Sequence, residues 1–474
     1  MKILLLNPPT FDNKAFIREG RCTQIRGVWA TIWPPITLAT AGAMLEAEGH
    51  SVEILDCAAQ GIQLKDLLNR IRRIPYGLIG WTSATPSIKS DLALANEIKR
   101  VNSNIRTVTF GTHVTTLTEE CFREAKGLDA VIRNEPEGSL VALAEGLENE
   151  AGPEGIEGIS YRDDSGQVFH NPQRPFIKDL DSIPFPAWHL LDLERYRLPL
   201  TGEKFLILSP VRGCPYPCTF CTARTYYGKR LRKKSVPRVM DEIEYNIDRF
   251  GINQFFIWAD TFTADNDYVM SLCHAIRNSG LKINWTCNSR VDTVDQDLLK
   301  TMAKAGCWMI SYGIESGNQA VLDSTRKNTT LGQSQNAVSM AKNAGIKVVG
   351  HFVLGLPGET VETIKETIEF ALALEIEMAQ FYCSVPFPGS PLYELAKREG
   401  WIEGRGYDEF RQDNAVMDMP GLSASTVNKL RKSAFRRFYL RPNRLVQALG
   451  LMRFDRLGET MKHGIKFLGC TASK

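Results

Sequence analysis

The strongest constraint on this chain is a rhythm. Short apolar runs closed by small or polar residues alternate with stretches of helical periodicity, and the alternation breaks only between Glu148 and Phe185 before it resumes. Lys2-Ile3-Leu4-Leu5-Leu6 is an unbroken apolar run, the pattern of a strand covered on both faces, and Asn7-Pro8-Pro9 ends it. A helix is expected over 37–49, then strands over 51–55, 77–81, 106–110 and 129–132, with helices over 64–74, 92–101 and 119–124 between them. Strand and helix in strict turn predict a doubly wound parallel sheet over roughly the first 140 residues. Ligands of such sheets bind where the strands end. Here those loops are Asn7-Pro8-Pro9, Asp56 to Gly61, Thr82-Ser83-Ala84-Thr85, Gly111-Thr112-His113-Val114-Thr115 and Arg133-Asn134-Glu135. Their glycines and small hydroxyl residues suit a large planar or phosphate-bearing ligand that comes close to backbone.

The break is rich in Gly, Pro and Asp, with a hairpin-like pair over 158–162 and 168–170 around Asp163-Asp164-Ser165-Gly166. An extended linker with Pro184 and Pro186 follows. The rhythm then returns. Strands are predicted over 205–209, 254–258, 283–287, 308–312, 347–353 and 378–384, and helices over 236–250, 266–279, 295–305, 331–344 and 361–374. Six β/α units over ~180 residues fit a partial TIM-type barrel better than a full one of ~250.

Behind the first strand of this second set stands Val211-Arg212-Gly213-Cys214-Pro215-Tyr216-Pro217-Cys218-Thr219-Phe220-Cys221. Three cysteines spaced C-x3-C-x2-C lack the fourth ligand of a zinc site, and they are too close and odd in number for a disulfide framework. A loop this short can wrap one face of an iron–sulfur cubane; such clusters normally take four thiolates, so three leave one iron open to a small molecule. Gly213 permits close backbone approach, Pro215 and Pro217 stiffen the loop, and Phe220 offers a face for an adenine. The competing reading is three unrelated buried cysteines.

At these residues the chain resembles the radical S-adenosylmethionine (radical SAM) enzymes, whose signature is C-x3-C-x-aromatic-C. The resemblance implies that Cys214, Cys218 and Cys221 hold a 4Fe–4S cluster whose fourth iron binds the amino and carboxylate groups of S-adenosylmethionine. The later loops follow in the family's order. Glu315 and Ser316 are implied to hold the methionine and ribose parts, Gly355 and Glu359 to lie in the turn by the adenine, and Arg290 to pair with the methionyl carboxylate. Each taken alone also reads as a helix cap or a solvated carboxylate. Asp260 has three readings: cofactor contact, loop orientation or substrate contact.

The first half resembles the cobalamin-binding domain that precedes many radical SAM cores, which implies cofactor contacts at Ser83, Thr85, Gly111, Thr112 and His113. Methionine synthase-type domains carry D-x-H-x-x-G, the His being the lower cobalt ligand. Here the stretch is Asp56-Cys57-Ala58-Ala59-Gln60-Gly61, with alanine in the His position. Cobalamin is therefore expected without a protein lower ligand, the alternative being a scaffold that has lost the cofactor. His113 reads first as a hydrogen-bonding residue and only second as a cobalt ligand.

The fold class expected is thus α/β, a cobalamin-binding-like Rossmann domain over 1–145, a linker with a hairpin over 146–200, a partial (β/α)6 radical SAM barrel over 201–391 and a helical, basic region over 392–474. In the family's chemistry the reduced cluster cleaves S-adenosylmethionine to a 5′-deoxyadenosyl radical that abstracts hydrogen from an unactivated carbon. With cobalamin present, the function implied is methylation of that carbon in a small molecule. The rivals are a non-methylating radical reaction, such as cyclisation, C–C coupling or oxidation, on a lipid-like or tetrapyrrole substrate, and a cluster-binding sensor or assembly factor without turnover. An external electron donor such as flavodoxin or ferredoxin is implied.

From Val427 onward twelve Lys and Arg stand against Asp455 and Glu459, a local balance of +10 within a net charge of +3. Apolar and basic residues interleave there in predicted helices over 427–440 and 444–468, which raises the expectation of contact with an anionic membrane surface. Nothing resembles a nucleic-acid-binding module. No run reaches membrane-spanning length and no leader pattern opens the chain, so a cytoplasmic location, peripheral at a membrane, is the expectation.

Overall fold

The computed structural model of the chain describes residues 1–19, 24–25, 32–198 and 201–441. Strands β1 (Lys2–Asn7), β2 (Ser51–Asp56), β3 (Leu78–Thr82), β4 (Arg106–Phe110) and β5 (Ala130–Ile132) run parallel in the order β2-β1-β3-β4-β5. Ile3 to Leu6 are wholly buried because helices cover both faces, as their unbroken apolar run requires. The hairpin expected in the linker, β6 (Ile159–Arg162) and β7 (Val168–His170), continues this sheet by pairing antiparallel with β5. Ile159 and Tyr161 turn their apolar side inward there.

Three helical segments stand where loops or no element were expected: Cys57–Gln60, Thr112–Thr116 and Glu137–Glu148. The first two sit at strand ends and are short; β-branched Thr112-His113-Val114-Thr115-Thr116 has poor intrinsic helicity, so tertiary contacts impose the turn. The helix expected from 92 begins at Ile88, after a 3-10 turn started by Pro86.

The second set of strands, β8 (Leu206–Leu208), β9 (Gln254–Ile257), β10 (Asn284–Arg290), β11 (Cys307–Glu315), β12 (Lys347–Leu354) and β13 (Met378–Cys383), pairs parallel in chain order. Their crossover helices Val236–Phe250, Asn266–Ser279, Gln296–Lys304, Leu331–Asn343 and Val361–Ala373 all begin on a capping side chain: Ser235, Asp265, Asp295, Thr330 and Thr360. Each accepts a hydrogen bond from an otherwise unpaired N–H of the first turn, fixing where the helix starts. Ile310, Tyr312, Ile314, Phe352 and Phe381 are fully buried beneath this helical layer, so the alternate residues face the concave interior.

Helix Ala424–Tyr439 closes the outer face of β13. Phe435 and Phe438 meet Phe381 edge-on, and the Tyr439 hydroxyl donates to Ala379 O (2.8 Å). The apolar side of this basic helix is thus turned onto the barrel, not left free for a lipid surface. The helix expected over 444–468 lies outside the described residues. No helix among the described residues is long and apolar enough to cross a membrane.

Ionic contacts join the two halves. Arg212, in the ribbon that pairs Val211–Arg212 with Arg232–Lys233, bonds Glu135 (3.1 Å) and Glu137 (2.7 Å) of the first half, while Arg232 also reaches Glu135 (2.8 Å). Glu135, Glu137 and Arg212 are all buried. Removing one partner of a buried pair leaves an uncompensated charge, which costs about 3–5 kcal/mol. Arg212→Leu should therefore lower the urea midpoint markedly, and the double variant Arg212→Leu/Glu137→Leu should recover part of the loss; equal stability of wild type and single variant would count against this account.

Candidate functional site

The cysteine loop leaves the ribbon at Gly213, whose φ of +90° suits glycine, and a Cβ there would collide with the Arg230 carbonyl. Backbone bonds hold the loop on several sides. Gly213 N donates to Asp260 Oδ2 (3.1 Å), Cys214 N to Gly228 O (3.1 Å), and Thr219 N to Thr325 O (3.0 Å), while Thr219 O accepts from Leu392 N (2.9 Å). Asp260 thus serves loop orientation, one of its three readings.

Cys214 is buried with its Sγ 3.2 Å from Thr261 Oγ1, Cys221 Sγ accepts from Ala223 N (3.4 Å), and Arg290 Nη1 points at Cys218 Sγ (3.8 Å). Burial pushes the Cys218 thiol up to about 11, against the pull of Lys327 and Arg290. No three His, Cys, Asp or Glu side chains among the described residues converge on a single-ion position. Three thiols on one short loop are the donor type that iron–sulfur clusters take, one fewer than the usual four. Phe220 packs half-buried against the core.

Around this loop the structure gathers Arg290 and Glu315. Arg290 grips Asp292 through Nε and Nη2 (2.8 Å each), donates to Lys327 O (2.7 Å) and lies over the Tyr216 ring (3.7 Å). Glu315 adopts φ +69°, at a register shift between β11 and β12, and pairs with Lys327 (2.5 Å). A non-glycine residue held in that region marks a position over-determined by its surroundings.

Other expected residues are engaged by the protein itself. The buried Ser316 hydroxyl bonds Thr367 Oγ1 (3.1 Å) and accepts from Asn318 N (3.1 Å). The space a Cβ would take at Gly355 is bounded by Val427 of the Ala424–Tyr439 helix. Glu359 accepts from the N–H groups of Gly355 (2.6 Å) and Leu356 (2.8 Å) through one oxygen; the other is buried without a hydrogen-bond partner among the described residues. Burial raises its carboxyl to about 7.

A second, polar cavity lies at the strand ends of the first sheet, lined by Arg18, Thr37, Ser83, Gly111, Thr112 and Tyr226, among others. Gly111 has φ +138°, and a Cβ there would collide with the Ser83 carbonyl, so only glycine lets these two cavity-lining loops pack this closely. Thr85 and His113 do not line it. They bond each other (3.2 Å), and the His113 ring packs edge-on to Tyr407 (4.8 Å). Burial drives the His113 pKa down to about 3.

The sequence reading missed Arg18, Thr37 and Tyr226 in this cavity and Lys327 beside Glu315. Tyr226 follows Cys221 by five residues and reaches the cavity from the barrel's own loop, which no local pattern signals. Arg18 is buried against Asp91 (2.8 Å), a pairing across 73 positions of the chain.

Comparison with known proteins agrees with this architecture. The family model of the radical SAM superfamily matches residues 208–371, and that of the B12 binding domain matches 23–144. A protein of Pyrococcus horikoshii described as an uncharacterized methyltransferase is 33% identical over 99% of this chain and 98% of its own length. The anaerobic magnesium-protoporphyrin IX monomethyl ester cyclase of Rubrivivax gelatinosus is 28% identical over 86% of this chain and 74% of its own, and the cytidylyl-2-hydroxyethylphosphonate methyltransferase of Streptomyces wedmorensis 27% over 89% and 86%. Among solved structures, OxsB aligns with TM-score 0.74 at 17% identity over 98% of this chain and 72% of its own, and TsrM of Kitasatospora setae with 0.67 at 18% over 85% and 75%. The chain belongs to the radical SAM superfamily, in the family of cobalamin-dependent methyltransferases that carry a B12-binding domain ahead of the radical SAM core.

Proposed function

We propose that this protein methylates an unactivated carbon of a small molecule, with Cys214, Cys218 and Cys221 holding a [4Fe–4S] cluster, S-adenosylmethionine at the open iron and cobalamin over the strand ends of the first sheet. The observation that carries it is one juxtaposition: the helix that follows Cys221 sends Tyr226 into the cavity lined by Ser83, Gly111 and Thr112. Both sites thus meet on one short segment. The solved TsrM structure holds cobalamin and a [4Fe–4S] cluster, and that of OxsB holds aqua-cobalamin and S-adenosylmethionine, which supports the same set here.

When bound, these groups supply one electron, a hydrogen-abstracting radical and a methyl group, drawing the electron from a donor such as flavodoxin or ferredoxin. The chain's own residues do the positioning. The Ala223 N–H and Arg290 place hydrogen-bond donors at Cys221 and Cys218, and the Thr261 hydroxyl lies against Cys214, the kind of surrounding contact that orients ligands and tunes a cluster. Lys327 and Glu315 form a paired charge beside the loop; with Arg290 they would meet the zwitterionic end of the cofactor. Glu359 would fix the turn beside the adenosyl part by accepting from the N–H groups of Gly355 and Leu356. Gly111 lets the loops at these strand ends pack closely beneath a broad planar ring. No imidazole stands at Ala58, so cobalt would take no lower ligand from this loop.

The test is product analysis on anaerobically reconstituted protein with reductant. Methylation should yield S-adenosylhomocysteine along with 5′-deoxyadenosine, and the purified protein should show corrin bands; 5′-deoxyadenosine without either would favour the non-methylating rival. Cys218→Ala should lose cluster iron and all 5′-deoxyadenosine. Gly111→Val should retain iron yet lose corrin on gel filtration, since its side chain would displace the Ser83 backbone; undiminished corrin would remove the cavity from this role.

A further inference from the structure

The barrel interior holds a residue that none of these roles uses. His351 lies on β12 in register with Gly313 on β11 and Gln380 on β13. Neighbouring Phe352 and Phe381 are fully buried on the helical side, so His351, Gln380 and Tyr382 face the interior. The imidazole stacks on the Tyr382 ring, with centroids 5.6 Å apart and planes within 14°. The Glu315–Lys327 pair sits over Gly313, where a Cβ would touch both charged groups. His351 therefore adjoins the place proposed for the sulfonium cofactor.

Its electrostatic neighbours are Glu315 and Lys327, which oppose each other, and burial lowers its pKa to about 4. The ring is then neutral near pH 7, offering one donor and one acceptor. No group among the described residues hydrogen-bonds its nitrogens. Towards β9 the interior carries the polar Thr286, Asn288 and Ser311 and ends in an aromatic wall, where Phe256 and Trp258 on and just after β9 are crossed by Trp33 of the first half, with ring centroids 5.2 and 4.9 Å away.

We propose that His351, backed by Tyr382, binds the substrate through a neutral hydroxyl, carbonyl or ring N–H carried on a flat, largely apolar body that lies against the Trp33–Phe256–Trp258 wall. This rests on the reading of the barrel mouth as the cofactor site. A charged headgroup is disfavoured because Glu315 and Lys327 already neutralise each other beside the ring. An uncharged ring nitrogen discriminates well only for a partner that can complete its hydrogen bond.

Phenol, toluene and benzoate serve as probes in saturation-transfer NMR titrations of the anaerobically reconstituted full chain. Phenol should bind wild type more tightly than the other two. His351→Phe should remove that preference, roughly a tenfold loss for one hydrogen bond, while His351→Gln retains it; cluster iron content confirms folding, and S-adenosylhomocysteine should bind both variants as it binds wild type. The proposal fails if wild type shows no preference for phenol, if His351→Phe keeps it, or if His351→Phe instead weakens S-adenosylhomocysteine, which would make the residue a cofactor contact. Absence of 5′-deoxyadenosine from wild type would sink the cofactor reading on its own, and the probe titration reads the interior in either case.

Discussion

A loop of three thiols that must leave room for a cluster cannot be stabilised by collapsing onto itself, so it depends on being tied at its ends. Arg212 supplies the first tie. Its guanidinium is withdrawn from water between Glu135 and Glu137, and a charge so buried is tolerable only where both carboxylates arrive together. Glu135 and Glu137 come from the end of β5 and the start of the helix behind it, so the loop is set only when the first sheet is complete. The ionic contact thereby makes the position of the barrel's cysteine loop a property of the other domain.

The remaining ties are backbone bonds, and they come from four separate places: Asp260 after β9, Gly228, Thr325 behind Glu315, and Leu392 beyond β13. Each is worth about 1 kcal/mol net, too little to matter singly. Together they span the barrel mouth from one edge to the other. Loosening any barrel strand would therefore shift the sulfurs, and with them the Arg290 guanidinium that touches both Cys218 and the segment at Lys327.

Much of this was legible in the sequence because it is local. Periodicity located every strand of both sheets, and it placed the helices over 236–250 and 266–279 to the residue. The cysteine spacing stood out for the same reason: its chemistry is confined to eight positions. What stayed hidden was set by contacts distant along the chain. Lys327 finds Glu315 only because a short helix turns the chain back, and Tyr226 reaches a cavity built by residues more than a hundred positions earlier. Ser316 and Gly355 show why residue type alone says little, since types that could serve a ligand also serve packing, here against Thr367 and Val427. His113 resolves likewise: a histidine in a polar loop proves to be buried behind the cavity against Tyr407, from a segment no motif connects to it.

The replacement of histidine at Ala58 has left no hole in the fold. Asp56 caps the short Cys57–Gln60 helix by accepting from Ala59 N (3.1 Å), takes a bond from Asn7 (2.8 Å), and offers its second oxygen to the Tyr196 hydroxyl (2.9 Å). It is fully buried, and burial raises its pKa above the usual carboxylate range. A carboxylate that would otherwise orient an imidazole is here a hinge between the first sheet and the segment leading into the barrel. Restoring histidine at 58 would therefore place a ring beside an aspartate whose lone pairs are already directed elsewhere, and a histidine without a partner on its second nitrogen is a poorly oriented ligand. The environment of position 58 is thus set by how the first sheet is joined to the segment leading into the barrel, not by one residue alone.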